Sequence, residues 1–226
     1  MSIDANWQQI QQRVDRAAKR SGRAGGDIDV VVVSKTRTVE EVEAALRAGV
    51  TELGENRVQE AEAKHAEVQL PARWHLIGGL QRNKVGKAVE IFDVIQSVDS
   101  KRLVDTLQRR SEAADRDLDV LVQVNTSGVG HQSGVEAAGI GVLLEHICDC
   151  RRLRLRGLMT IAAFSDHGPE VRRCFRQLRQ LSEEHAGSHG GLDVLSMGMS
   201  GDYEIAIEEG STMVRVGTAV FGPRPQ

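Results

Sequence analysis

Hydrophobic positions along the chain follow two alternating patterns, short apolar runs and longer stretches with helical spacing. The first apolar run, residues 29–35, contains four consecutive valines, which favours a strand buried on both faces of a parallel sheet. Before it, apolar residues recur at helical spacing over residues 3–21 and predict a helix. After it, Thr38 and Glu41 have the spacing of a capping box and predict the start of a second helix.

The same alternation continues along the rest of the chain with short connections. After the first strand, the predicted strands cover residues 50–56, 73–78, 94–98, 118–124, 155–161, 192–197 and 212–218. The predicted helices between them cover residues 39–48, 58–68, 84–92, 103–114, 135–150 and 169–184, with a last helix ending at residue 209.

Eight strand–helix units favour a closed (β/α)8 barrel, an α/β fold with parallel strands and right-handed crossovers. We expect one domain over residues 1–226, with the additional helix of residues 1–22 packed on the barrel. An open doubly wound sheet is the alternative. It usually carries a glycine-rich fingerprint after its first strand, whereas this strand ends in Ser34, Lys35 and Thr36.

The composition narrows the functional classes. The chain has 226 residues, a formal net charge of −3, 40% hydrophobic and 27% charged residues, which is typical of a globular protein without general attraction to nucleic acid or membrane. The polar start and the lack of a long apolar run predict a cytoplasmic location. Three cysteines without a secretion signal are expected to be reduced thiols, and their spacing indicates no metal site.

Candidate chemistry collects where the predicted strands end, because a barrel builds its working face from those ends. Lys35 ends the valine strand and is interpreted either as a reactive amine or as a side chain that reaches back to water. Arg215 stands inside the apolar eighth strand and needs an acceptor. That acceptor is either a ligand or a barrel carboxylate, of which Glu55 is the most plausible.

The last two strand ends predict an anion site. Ser196, Gly198 and Ser200 precede a predicted helix, and Gly217 and Thr218 end the next strand. Glycines let backbone N–H groups approach an anion, hydroxyls donate to it, and a helix N-terminus favours negative charge. Loops after strands seven and eight are the usual phosphate site of this barrel. Together with a lysine and an arginine, this site predicts pyridoxal 5'-phosphate, whose aldehyde forms a Schiff base with an amine.

Motifs across nearly the whole chain resemble the pyridoxal phosphate homeostasis protein family. They are Val33–Thr36, Gly54–Glu60, Trp74–Lys84, Ser97–Ser100, Gly157–Thr160, Leu195–Asp202 and Gly210–Gly222. This family is similar to the barrel domain of alanine racemase and lacks the C-terminal β domain of that enzyme.

The resemblance implies a role for each matching position. Lys35 would carry pyridoxal 5'-phosphate as a Schiff base, Arg215 would face the pyridine nitrogen, and Asn56 would lie beside the ring. The resemblance also implies a phosphate-binding region, formed by Ser196, Met197, Gly198, Ser200, Gly217 and Thr218.

Two positions depart from the family pattern. Gly79 stands where the family often has a histidine, and the loop Gly128–Gly134 lacks the acidic residue and the lysine that are usual there. The roles of those family side chains are therefore not carried over to this chain.

The expected function is to hold, buffer and deliver pyridoxal 5'-phosphate without catalysis, with apoenzymes as acceptors and a monomer as the expected state. The alternative is an amino-acid racemase, which needs a second base opposite Lys35. In alanine racemase that base is a tyrosine of the absent domain, and Tyr203 is interpreted here as a surface or interface aromatic. His75, a potential core histidine, and His131 are weaker candidates. The basic run Arg151–Arg156 has no interleaved aromatics, which disfavours nucleic-acid binding.

Overall fold

The chain folds into a closed barrel of eight parallel strands. The computed structural model describes residues 2–128, 133–162 and 168–223. In those ranges each strand pairs with its neighbours in chain order, and the eighth strand closes the barrel against the first. The strands are Asp29–Val33 (β1), Glu52–Glu55 (β2), Arg73–Leu76 (β3), Val94–Val98 (β4), Leu118–Gln123 (β5), Leu153–Met159 (β6), Val194–Met199 (β7) and Met213–Val216 (β8). The predicted fold class is confirmed.

Helices surround the barrel, and the first one precedes it. Within the described ranges they are Ile3–Arg20 (α1), Val39–Arg47 (α2), Val58–Glu67 (α3), Val85–Ile91 (α4), Lys101–Ala113 (α5), Ile140–Cys148 (α6), Gly168–His189 (α7), Tyr203–Glu208 (α8) and Thr218–Phe221 (α9). The amphipathic α1 packs its apolar face against α2, α8 and α9. None of these described helices is long and apolar enough to cross a membrane.

The valines of β1 are buried on both sides, as the sequence predicts. Val32 belongs to the core between the strands and the helices. A Cβ built on Gly54 would meet Val31 and Val33, so these side chains face the barrel interior. Lys35 has the same parity as Val31 and Val33, which directs it toward the axis of the barrel at its carboxyl end.

The pairing of β7 with β8 contains an irregularity next to the predicted anion site. Ser196 pairs with Met213 and Met199 pairs with Arg215, so β7 has one more residue than β8 between these two pairs. Gly198 lies in this bulge with φ of 95°, a conformation that glycine adopts without strain.

Some helices begin or end at residues other than those predicted, for reasons found in the local structure. The capping box of Thr38 and Glu41 is present. The helix predicted from residue 135 begins only at Ile140, because Val135 exchanges backbone hydrogen bonds with Gln123 and Asn125 beside β5. The last helix predicted to follow β7 ends one residue earlier, and α9 was not predicted.

Candidate functional site

Lys35 lies at the mouth of the barrel beside the end of β8. It is half-buried and shares a narrow cleft of about 30 Å³ with Val33, Arg37, Gly217 and Thr218. The amine and one of the two predicted anion-binding tips therefore occupy the same opening. This placement agrees with the interpretation of Lys35 as an amine that faces a ligand, and the alternative of a side chain that reaches back to water is left to experiment.

The backbone after Lys35 is held in an unusual conformation by α3. Thr36 has φ of 64°, which is an outlier for a β-branched residue and costs on the order of 1–3 kcal/mol. Its N–H donates to Glu60 Oε2 at 3.3 Å, and Lys64 Nζ donates to the Ser34 carbonyl at 2.6 Å. Two side chains of one helix thus fix the residues on both sides of Lys35.

A buried ion pair supports the same segment. Lys64 Nζ lies 2.6 Å from Glu55 Oε1, and Ser34 Oγ donates to the same oxygen at 2.7 Å. Burial raises the pKa of Glu55, and the hydrogen bonds from Lys64 and Ser34 oppose that rise. The prediction that Glu55 pairs with Arg215 is wrong. Glu55 has the opposite parity to the inward Gly54 and faces α3, outside the barrel wall.

Arg215 is buried at the inner end of the mouth with neutral partners. Its Nη1 donates to Ser196 Oγ at 2.6 Å and its Nη2 donates to the Thr160 carbonyl at 2.8 Å. Burial lowers the pKa of Arg215 to about 10, and the nearby Asp202 opposes the shift. The guanidinium therefore stays cationic at neutral pH. These two bonds use two of its five donors, so it has capacity to bind an acceptor on a ligand.

The loop between β7 and α8 is tied to the end of β8. Ser200 Oγ accepts a hydrogen bond from the Gly217 N–H at 3.2 Å. Asp202 Oδ1 accepts from the Met199 N–H at 2.6 Å, which closes the loop before α8. Because α8 has six residues, the loop offers an anion its own N–H and hydroxyl groups rather than the field of a long helix.

Two predicted members of the phosphate-binding region, Ser196 and Met197, have side chains that are directed or bonded away from the mouth. The Met197 side chain is fully buried in the core outside the barrel wall, so it has only backbone groups to offer. The Ser196 hydroxyl is engaged by Arg215 and by Gln96 Oε1, which it contacts at 2.7 Å. Ser196 therefore supports Arg215 from below, whereas Ser200, Gly217 and Thr218 lie at the mouth.

Asn56 follows β2, the strand next to β1, and lines a larger groove of about 510 Å³. Gly79, Arg57 and Lys84 line the same groove. A Cβ on Gly78 would lie 2.3 Å from the Asn56 carbonyl oxygen, so only glycine permits this approach of the two strand ends. A Cβ on Gly79 would meet no atom within 4 Å, so the missing family histidine leaves open space.

Two of the three candidate second bases, Tyr203 and His75, are buried inside the protein. Tyr203 is 1% exposed under α1, so its interpretation as a surface aromatic is wrong. The helix after β7 turns it inward toward the core. His75 is a core histidine, as expected, and faces the barrel interior. His131 and most of the loop that departs from the family pattern lie outside the described residues.

The basic run before and within β6 is neutralised by acidic neighbours. Arg152 pairs with Asp115 and Asp117, and Arg154 also pairs with Asp117. A surface compensated in this way does not form the basic patch that nucleic acid requires. Within the ranges that the structure describes, acidic residues, histidines and cysteines form no group able to hold a metal ion.

Sequence reasoning missed the residues that support the site. From the sequence, Lys64 is included only in the helix of residues 58–68, Glu60 in that helix and in the Gly54–Glu60 motif, and Gln96 in the strand of residues 94–98, and none of them is given a supporting role. Glu60 and Lys64 are four residues apart and therefore lie on one face of α3. This spacing is visible in the sequence and could have indicated that the two side chains act on the same segment. Gln96 in an otherwise apolar strand needs hydrogen-bond partners, which is a similar signal.

Taken together, the fold and the site define a (β/α)8 barrel protein with a lysine, a buried arginine and anion-binding loops on one mouth. Residues 2–225 match the family model of the alanine racemase N-terminal domain. A pyridoxal phosphate homeostasis protein from Vibrio cholerae is 40% identical over 99% of this chain and 97% of its own length. One from Escherichia coli is 38% identical over 98% and 97%. The chain belongs to the alanine racemase N-terminal domain family and, within it, to the pyridoxal phosphate homeostasis proteins.

Solved structures agree with this assignment. PipY of Synechococcus elongatus, solved with pyridoxal phosphate bound, has a TM-score of 0.82 and 36% identity, with coverage of 93% of this chain and 100% of that chain. An alanine racemase of Clostridium difficile has a TM-score of 0.77 at 14% identity over 98% of this chain and 57% of that chain. The second comparison supports the fold alone.

Proposed function

We propose that this protein binds pyridoxal 5'-phosphate and takes part in its intracellular homeostasis, holding it as a Schiff base on Lys35. The observation that carries this proposal is the shared mouth of Lys35, the β7 and β8 tips, and the buried Arg215. The names of the full-length relatives and the ligand of PipY support the same conclusion.

The donors at the mouth fit the chemical groups of this cofactor. Ser200, Gly217 and Thr218, with the backbone of Gly198, offer hydroxyl and N–H groups to the phosphate. Arg215 offers N–H donors, and a pyridine nitrogen that accepts one is neutral and unprotonated. Asn56, at the end of the strand next to the one that carries Lys35, would lie beside the ring.

The bond to Lys35 requires a simple and reversible condensation. The neutral amine of Lys35 attacks the aldehyde carbon, a C=N bond replaces the C=O bond, and the oxygen leaves as water. Water reverses the same step and releases the aldehyde. A site that holds its ligand by this bond can buffer it and deliver it to apoenzymes, which we propose as the acceptors.

The racemase alternative lacks support from the described residues. Racemisation needs a second base opposite Lys35. Tyr203 is buried in the core and His75 is engaged by its neighbours inside the barrel. We therefore favour a holding function without catalysis. The cytoplasmic location, the monomeric state and the single functional domain over residues 1–226 stay predictions.

Borohydride reduction followed by peptide mapping tests the assignment of Lys35. The protein is loaded with pyridoxal 5'-phosphate and reduced, and the adduct is located by mass spectrometry. We expect it on Lys35 and expect its loss in Lys35→Ala, while Lys84→Ala, a lysine of the neighbouring groove, keeps it. An adduct that persists in Lys35→Ala at equal yield would overturn the assignment.

Two further measurements separate holding from catalysis. The loaded protein is incubated with an apoenzyme that needs the cofactor, and recovery of that enzyme's activity is followed. We expect recovery, and continued inactivity beside loaded protein would contradict delivery. Exchange of the α-proton of common amino acids in deuterated solvent would instead support the racemase.

A further inference from the structure

A continuous chain of hydrogen-bonded side chains crosses the barrel interior beneath Arg215. Arg215 donates to Ser196, Ser196 Oγ donates to Gln96 Oε1 at 2.7 Å, and Gln96 Nε2 contacts His75 Nδ1 at 2.8 Å. His75 Nε2 contacts Glu52 Oε2. The middle members of this chain of hydrogen bonds are Ser196, Gln96 and His75. All three are 0% exposed, in a region that such barrels usually fill with branched apolar side chains.

Every bond in this chain points in the same direction. An arginine can only donate, so Ser196 accepts from it and turns its own O–H toward the carbonyl oxygen of Gln96. The amide N–H of Gln96 then donates to His75 Nδ1. His75 must therefore carry its proton on Nε2, which donates to the Glu52 carboxylate. Aligned donors polarise one another, so a cation and an anion at opposite ends strengthen the intervening bonds.

The two ends of the chain lie at opposite ends of the barrel. Arg215 is near the carboxyl end of β8 and faces the mouth. Glu52 begins β2, its side chain is 18% exposed, and it lines an outer groove with Asp29 and residues of α1. Glu52 thus lies at the end of the barrel that active sites of this fold do not use.

We propose that Glu52, His75 and Gln96 are positioning residues that hold Arg215 as an oriented donor to the ring nitrogen of the cofactor; this rests on the proposed function. The Thr160 carbonyl fixes Nη2 of Arg215, but a freely rotating Ser196 hydroxyl would leave the contact at Nη1 loosely oriented. Because the Ser196 O–H donates to Gln96, the Ser196 oxygen can only accept a hydrogen bond from Arg215, and its direction is fixed. The orientation of Gln96 is in turn fixed by His75 and Glu52.

Two ligands that differ at the ring nitrogen test the contact between Arg215 and that nitrogen. Pyridoxal 5'-phosphate and its 1-deaza analogue differ only in the ring nitrogen, which a C–H group replaces. A hydrogen bond from a charged donor is worth about 1.5–3 kcal/mol, or roughly tenfold or more in affinity. Wild-type protein should prefer the nitrogen-containing ligand by about tenfold in spectroscopic titrations. The nitrogen also changes the reactivity of the aldehyde, but this intrinsic difference is the same for every variant and cancels when the ratio of a variant is compared with that of the wild type.

Two variants test the remote residues, and two more serve as references. Gln96→Met interrupts the chain with a side chain of similar size, and Glu52→Gln removes the terminal charge. Both should reduce the preference to about threefold or less. Asp29→Asn is the matched control, because it removes a neighbouring carboxylate outside the chain. It should keep the full preference, whereas Arg215→Met should lose it.

The control variants separate this inference from the proposed function. Equal binding of both ligands by wild type, or an unchanged preference in Gln96→Met and Glu52→Gln, would overturn the positioning role while pyridoxal phosphate binding stands. An equal loss in Asp29→Asn would do the same, since it would show a general charge effect. Failure of wild type to bind either ligand would refute the proposed function itself.

A measurement on the ligand-free protein gives an independent readout. Nitrogen-15 NMR of the imidazoles distinguishes the two neutral tautomers, and His75 is assigned by comparison with His75→Gln. We expect His75 to carry its proton on Nε2 in the wild type, and we expect its signals to move in Gln96→Met. A proton on Nδ1 would contradict the direction of the chain.

Discussion

Gly198 is the position where a single methyl group should disturb the anion-binding loop most. Its φ of 95° lies in the left-handed region, which costs an alanine about 1–2 kcal/mol. A Cβ there would also lie 2.5 Å from Ala206 Cβ and 2.9 Å from Tyr203 Cα. Both atoms belong to α8, so relief requires the helix to move. Such overpacking costs about 1–3 kcal/mol.

The two costs together predict that Gly198→Ala lowers the free energy of unfolding by about 3 kcal/mol. Gly201→Ala is the matched control in the same loop. A Cβ at Gly201 meets no atom within 4 Å, and its φ lies outside the left-handed range. This control should leave stability within about 0.5 kcal/mol of wild type or raise it slightly.

Urea unfolding followed by circular dichroism measures both variants. For a chain of this size, about 3 kcal/mol corresponds to a fall in Tm of roughly 6–12 °C. Gly198→Ala should also reduce the preference for pyridoxal 5'-phosphate over pyridoxal, because only the former has the group that this loop would bind. Equal stability of the two alanine variants would refute the packing argument. A loss of stability with an unchanged preference would refute the phosphate assignment of the loop.

Three further substitutions test other parts of the structure. Lys64→Met should destabilise the fold by about 3–5 kcal/mol in urea unfolding, because it leaves the fully buried Glu55 carboxylate without its cation; Glu55→Gln in the same chain should recover part of the loss. Tyr203→Phe should be neutral or stabilise by about 1 kcal/mol in thermal unfolding, because the buried hydroxyl has no hydrogen-bond partner among the described residues. Burial tends to raise the pKa of Glu209, but Arg176 and a second arginine of α7 lower it overall. Its contribution to stability is therefore full above a pH of about 4.3 and is lost as the pH falls through the lower folded pKa. The stability difference between wild type and Glu209→Gln should accordingly be largest near pH 7 and should shrink progressively as the pH is lowered into the acid range.

The sequence was sufficient to predict the barrel because each strand and helix is marked by a pattern of neighbouring residues. A valine run, a capping box and a glycine after a helix each act within a few residues. The carboxyl ends of parallel strands must meet at one mouth, so the order of the strands alone places Lys35 and Gly217 together.

Side-chain direction was harder to predict because it depends on parity and on bulges. Glu52 and Glu55 both belong to β2, but Glu52 faces His75 inside the barrel and Glu55 faces Lys64 of α3. Only the inward position of Gly54 shows which of the two glutamates faces the interior. Ser196 faces the interior and Met197 faces the helices by ordinary alternation, and the bulge shifts the pairing of β7 with β8 only after Ser196. No residue pattern within a single strand specifies such a shift, since it arises from pairing with the neighbouring strand.

The polar interior of the barrel bears on the choice between holding and transforming a ligand. Arg215 remains cationic at neutral pH although burial lowers its pKa to about 10. A cation that donates to a pyridine nitrogen disfavours protonation there and so limits the electron withdrawal on which amino-acid chemistry depends. Ser196 and Thr160 hold this cation in place from the protein side. The contact that we propose between Arg215 and the ring nitrogen would therefore suit storage of the cofactor or very restrained chemistry on it.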